Sequence, residues 1–268
     1  MTETGAWRDT SASVDQRVQA LLLAMTLEEK VGQLGSFWAQ ANVGEGDVAP
    51  MASEMAEGAD GFSATIAHGL GHLTRVFGSA PVSVAEGAAE LVARQREVVA
   101  ANRFGIPAIA HEECLTGFTT LGATVYPTPL AWGATFDPDL IEAMAAAIGS
   151  DMAAVGIDQG LSPVLDVVRD ARWGRVEETM GEDPYLVSVL GTAYVRGLQS
   201  AGVMATLKHF AGYAASRGAR NHAPVSIGPR EMADVVLPPF EMAVRDGGVA
   251  SVMNSYADLD GVPPAVDR

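Results

Sequence analysis

The feature that most constrains this chain is a unit that recurs along it: a helix-start signal, a glycine stop, a short wholly apolar run, then polar residues. Asp137-Pro138 pairs an N-cap with the favoured first helical residue, and Gly156 supplies the stop. Residues 161–168 follow as the predicted strand. Asp183-Pro184 repeats the start, Gly202 the stop, and 203–207 the strand. A third pass puts a helix over 230–245, a stop at Gly247-Gly248 and a strand over 249–253. Upstream, Ser83 starts a helix running to about Asn102, Gly105 ends it, and 106–110 reads as a strand. Nearer the N-terminus, Ser13 with Gln16 and Thr26 with Glu29 form capping-box pairs; the second helix carries Leu27, Val31 and Leu34 on one face. Between these regions, the glycine-rich stretch 44–61 predicts a long surface loop.

Helices alternating with apolar strands imply parallel strands buried on both faces. Two folds satisfy that, a (β/α)8 barrel and a doubly wound sheet. No G-x-G-x-x-G follows a strand and no Walker A motif occurs, which favours the barrel. The 268 residues suffice for one large core. With 48% apolar but only 6% aromatic residues, that core consists mainly of aliphatic side chains.

Charge narrows the function. A net charge of −16 opposes a nucleic-acid role, because phosphate contacts need a basic face, and opposes an anionic membrane surface. No apolar run is long enough to span a bilayer. The N-terminus lacks the basic and apolar regions of a signal peptide, so the expectation is a cytoplasmic protein. Cys114, the single cysteine, excludes an intrachain disulfide and a zinc-thiolate cluster and reads as a small buried hydrophobe.

In a barrel the strand ends surround the active site. Here His111-Glu112-Glu113, the 169–175 run containing Arg169, Asp170, Arg172, Trp173 and Arg175, then Lys208-His209, and Asn254-Ser255-Tyr256 follow the four strands. One such junction is explained by helix capping; four in register indicate a polar site at one mouth. Its mixture of carboxylate, guanidinium, ammonium, imidazole, phenol and indole suits a polyhydroxylated ligand with an apolar ring face. Lys208 alone could also serve as a Schiff-base lysine, as in aldolases. His68 and His72, spaced i, i+4, lack the glutamate of a zinc-binding H-E-x-x-H and are read as no metal site. Trp173 either stacks on the ring face of such a ligand or fills the core. Arg169, Asp170 and Arg172 read as an ion-pair network. Glu177, Glu178, Glu182 and Asp183 read as helix-start carboxylates, and His222 as a loop residue at the pocket rim.

SPVLDVVRDARWGRVEETMGEDP (162–184), KHFAGY (208–213), SVMNSYADLDGVP (251–263), ATVYPTPLAWGATFDPDL (123–140) and MTLEEKVGQL (25–34) occur in the order and style of family 3 glycoside hydrolases, which the chain resembles from Thr26 onward. The resemblance implies an α/β fold, an incomplete (β/α)8 TIM-like barrel over 1–268 without its final β/α units and the α/β sandwich domain that follows. It also implies a retaining exo-β-glycosidase, a β-xylosidase or β-glucosidase, with no metal or organic cofactor. Its partner would be a β-linked oligosaccharide or glycoside. Arg175, Lys208, His209 and Tyr256 match sugar-site residues of the family, and Arg220 is aligned to a further arginine. Glu113 stands where many members have aspartate. The longer side chain implies a preference for pentosides, although Thr116 replaces the usual histidine of that motif. The nucleophilic aspartate is expected roughly 20 to 40 residues past Tyr256, hence beyond Arg268, at about 30 residues per β/α step. The acid/base is expected from a later domain. On that reading the chain alone is inactive or nearly so, and is completed by the rest of its own protein, by another polypeptide or by a second copy. The competing reading is a non-catalytic carbohydrate-binding fragment, or one part of a split enzyme.

Overall fold

A computed structural model describes residues 5–38 and 61–267. The loop expected over 44–61 lies, apart from Gly61, outside the described residues.

Six helices carry most of the helical structure: α1 (Val14–Ala24), α2 (Leu27–Gly32), α3 (Val84–Ala101), α4 (Pro138–Ala154), α5 (Pro184–Ser200) and α6 (Leu237–Arg245). Their starts follow the sequence signals. Ser13, Thr26 and Ser83 form reciprocal capping boxes with Gln16, Glu29 and Glu86. Asp137 and Asp183 cap α4 and α5, each followed by proline. Each such cap satisfies amides that have no partner within the helix. Gly156 and Gly202 leave α4 and α5 at φ +83° and +86°, a backbone region that a side chain would strain.

The strands β1 (Ser36–Trp38), β2 (His72–Thr74), β3 (Ile109–Glu112), β4 (Gln159–Gly160), β5 (Met204–Phe210) and β6 (Ser251–Asn254) form one parallel sheet in the order β1-β2-β3-β4-β5-β6. A doubly wound sheet reverses its strand order at a switch point; this one runs in sequence order without reversal, as a barrel does. The result is a curled, incomplete (β/α)8 barrel.

Three expectations need correction. The strand predicted at 106–110 is displaced to Ile109–Glu112, because helix side chains take the backbone groups of the apolar run. Gln95 bonds both the N–H and C=O of Ala108 (3.0 and 2.7 Å), and Asn102 does the same for Ile106 (3.0 and 2.9 Å). The strand predicted at 161–168 pairs regularly only at Gln159–Gly160; beyond it, Thr206 donates to Ser162 (3.0 Å), Lys208 to Pro163 (3.2 Å) and Leu165 to Lys208 (2.7 Å). Proline at 163 has no N–H to give to a regular ladder. The helix predicted over 230–245 starts at Pro229 and is interrupted by a π-turn at Met232–Val236.

The main core lies between sheet and helices. Leu73, Ala110, Ala205 and Leu207 from the strands meet Leu91, Val98, Ile148, Met152, Leu190, Leu198 and Phe240 from α3 to α6. Helices α4 and α5 approach most closely, and glycine permits it. A Cβ on Gly197 would stand 2.1 Å from the Glu142 carbonyl oxygen, and one on Gly149 2.8 Å from that of Leu198. Substitution there must push the helices apart. By contrast α1 and α2 contain no buried residue, and Leu27, Val31 and Leu34 are exposed.

Candidate active site at the strand ends

Alternation along β3 decides which side chains reach the barrel mouth. Ala110 and Cys114 enter the core against the helices, and Glu112 shares their side. Cys114 is fully buried, with its thiol pushed up to about 12 by burial, so it stays an inert thiol as the sequence suggested. His111 and Glu113 face the other way.

Glu113 lies between two cations. Its Oε2 accepts from Lys208 Nζ at 3.1 Å and its Oε1 from Arg75 Nη2 at 2.8 Å. Burial opposes its charge, but Lys208, Arg75 and Arg175 outweigh that, and the carboxyl is held below its ordinary range. Lys208 is buried at 3% exposure and spans the sheet from β5 to reach this carboxylate.

His209, the next residue of β5, is held by Asp166. One oxygen, Oδ2, accepts both the His209 backbone N–H (3.1 Å) and the ring Nδ1 (2.8 Å). Burial lowers the imidazole pKa, Asp166 opposes that, and Arg175 and Lys208 add to it; the net shift is downward, so the ring is neutral at pH 7. With the proton on Nδ1 facing the carboxylate, Nε2 is an acceptor, and it is buried with no hydrogen-bond partner among the described residues.

Arg175 forks onto Glu178 with bonds of 2.6 and 2.7 Å, and its guanidinium lies 5.5 Å from the Tyr213 ring centre. Burial disfavours its charge, but Glu178 and Tyr213 more than compensate and raise its pKa. Glu178 is therefore a partner of Arg175 and not a helix cap; of the four carboxylates read as capping, Asp183 does cap α5. Tyr256, half exposed, closes the group: its ring centre is 5.1 Å from His209, 5.4 Å from Tyr213 and 5.5 Å from His222.

The strand ends thus bring together Glu113, Arg175, Lys208, His209 and Tyr256. Arg220 is exposed, and no ion pair among the described residues ties it to the cluster. Trp173 is 2% exposed and packs with Tyr213, Ala214 and Val225, so it fills a small core. Arg172 pairs with Asp170, but Arg169 pairs with Glu231, so the three residues form two separate ion pairs and not the single network expected. His72 lies on β2 opposite His111, Nδ1 to Nδ1 at 3.3 Å, and not on a helix face with His68. Asp166, Glu178, Tyr213, Arg75 and Trp38 escaped sequence reasoning as site residues. Trp38 ends and Arg75 follows a strand too short to be recognised, although strand ends are where the barrel rule looks.

The pattern of the glycosyl hydrolase family 3 N terminal domain matches residues 26–268. A β-xylosidase of Formosa agariphila is 42% identical over 65% of this chain and 26% of its own length; a putative β-xylosidase of the same organism is 32% identical over 97% of this chain and 35% of its own. A β-glucosidase structure from Erythrobacter marinus superposes with a TM-score of 0.85 at 37% identity, covering 99% of this chain and 35% of that one. A Listeria innocua β-glucosidase solved with laminaribiose gives 0.79 at 30% identity, over 96% and 34%. The chain thus spans about a quarter to a third of the length of these relatives. It belongs to glycosyl hydrolase family 3, whose N-terminal domain it matches over residues 26–268.

Proposed function

We propose that the whole protein is a retaining exo-β-glycosidase, acting on β-xylosides or β-glucosides at their non-reducing ends, and that this chain supplies the groups that hold the terminal sugar. The observation that carries the reading is the cluster at one mouth: a carboxylate and an ammonium paired across the sheet, beside an imidazole that presents a bare acceptor nitrogen. Sugar hydroxyls donate and accept at once, and this set offers both functions within one pocket. Glu113 accepts from hydroxyls, Lys208 and Arg175 donate to them, His209 Nε2 accepts, and Tyr256 lines the rim.

The nearby carboxylates are already committed. Glu113 bridges two cations, Glu178 forks onto Arg175 and Asp166 holds His209. A retaining mechanism needs two further carboxyl groups, roughly 5 Å apart, one as nucleophile and one as acid/base. In this proposal both come from sequence following residue 268, and the 268-residue chain by itself is a sugar-binding unit. Lys208 as a Schiff-base nucleophile fits less well, because its ammonium engages a carboxylate instead of lying in an apolar pocket.

The test compares the full-length protein with the 268-residue chain on 4-nitrophenyl β-D-xyloside and β-D-glucoside. Turnover is expected from the former and only background from the latter. Equal rates from both would refute this division of labour, and borohydride trapping of a carbonyl substrate on Lys208 would refute the glycosidase reading.

A further inference from the structure

We infer that Arg75 sets the sugar selectivity of the pocket by fixing the position of the Glu113 carboxylate, a role that rests on the glycosidase reading above. Arg75 immediately follows β2. Its backbone lies at φ +54°, a region in which a non-glycine residue persists only when its surroundings hold it.

Those surroundings are three consecutive residues at the end of β3, with help from the end of β1. The Arg75 N–H donates to the His111 carbonyl at 3.2 Å, the Phe77 N–H to Glu112 Oε1 at 2.6 Å, and Arg75 Nη2 to Glu113 Oε1 at 2.8 Å. Ser79 Oγ donates to the Arg75 carbonyl at 3.3 Å and accepts from Trp38 Nε1 at 2.5 Å, and the Trp38 ring lies 4.9 Å from the Arg75 guanidinium carbon. The turn is therefore fastened at the Arg75 N–H, at its carbonyl and at its guanidinium.

Glu113 is gripped at both oxygens, by Arg75 on one and Lys208 on the other. A carboxylate free on one side can swing aside to admit a bulkier sugar. One tied at both ends cannot, and the pocket then excludes the extra hydroxymethyl of a hexose. Arg75 is in this sense a positioning residue: it acts on the sugar through Glu113.

The experiment measures kcat and KM for 4-nitrophenyl β-D-xyloside and β-D-glucoside in the full-length protein, comparing the parent with Arg75→Met, Arg75→Lys and Glu113→Asp. The ratio of xyloside to glucoside kcat/KM should fall about 10-fold in Arg75→Met, the scale of one methylene-sized contact in a pocket. The change should lie mainly in KM. Arg75→Lys, which keeps a donor, should recover part of the ratio. Glu113→Asp, which draws the carboxylate away from Arg75 by one methylene, should move the ratio the same way even if Arg75→Met fails to fold. Combining Arg75→Met with Glu113→Gln should leave the ratio of Glu113→Gln unchanged. Parallel losses on both substrates, or an undiminished Arg75 effect in the Glu113→Gln background, would overturn the inference while leaving the glycosidase reading intact. A folded parent that cleaves neither glycoside would overturn both.

Discussion

Glu112 and Glu113 are neighbours with identical side chains, yet the two faces of the sheet give them opposite chemistry. Glu112 lies on the helix-facing side at 0% exposure, takes one backbone amide, and is pushed up to about 8 by burial. Glu113 lies at the mouth between Lys208 and Arg75 and is held below its ordinary range. One is a neutral acid that fastens a turn; the other is an anion available to a ligand. What separates them is a single step of strand alternation, which ties one directly to two cations and leaves the other buried without an ion pair, its burial only partly offset by the Phe77 amide and Arg75. A carboxylate's role in this fold is thus set by the face it occupies.

The contrast can be tested most severely through pH. A carboxyl whose folded pKa lies above its unfolded value contributes stability fully below about 4.5, and that contribution is lost as pH rises to about 8. Parent and Glu112→Gln, unfolded in urea across that range, should diverge by roughly 4 kcal/mol, the parent losing stability relative to the variant as pH rises. Parallel curves would mean that Glu112 is no different from a surface carboxylate. Glu113→Gln should show the reverse pattern in the full-length protein: kcat/KM lowered about 100-fold, equivalent to about 3 kcal/mol of charge-assisted bonding. A loss below threefold would remove Glu113 from the site.

Gly197→Val probes how tightly the helix layer is packed. Its new side chain meets the Glu142 carbonyl, and a loss of about 2 kcal/mol is expected by thermal or urea unfolding. A neutral result would show that α4 and α5 can separate freely. The smallest expected effect is at the rim. Tyr256 keeps its ring contacts in Tyr256→Phe and loses only a weak bond to Met253 Sδ at 3.4 Å, so KM should change less than about threefold. A larger change would assign the phenol itself to the ligand.

Much of this was legible beforehand, and the exceptions have physical causes. Caps and stops are local, and Ser13, Thr26, Ser83, Asp137 and Asp183 mark helix starts where the structure has them. Burial is not local. The capping box of α1 is as complete as that of α3, yet α1 buries nothing while α3 buries Gly87, Leu91 and Val98. The register of β3 was misread because Gln95 and Asn102 reach across from α3 to claim backbone groups, a tertiary event with no mark in an apolar run. Strands β1 and β2, three residues each, carry no readable periodicity, so the residues at their ends, Trp38 and Arg75, were missed with them. At the site, Lys208, His209 and Glu113 were legible because each comes directly after an apolar run, the first two within β5 and the third just past β3. Arg220 rested on the family resemblance alone, with no strand end to place it, and the structure leaves it exposed.

The strand order has a consequence for how such a chain can come into being. Every strand pairs with the next one in sequence, so no pairing waits on a distant segment. Contacts between sequence neighbours cost little loop entropy, and a growing chain presents its N-terminal part first. The sheet can therefore be laid down one β/α unit at a time. The Glu113 ion pair closes when β5 delivers Lys208 to a carboxylate that β2 and β3 have already set in place, and Tyr256 joins it only after β6.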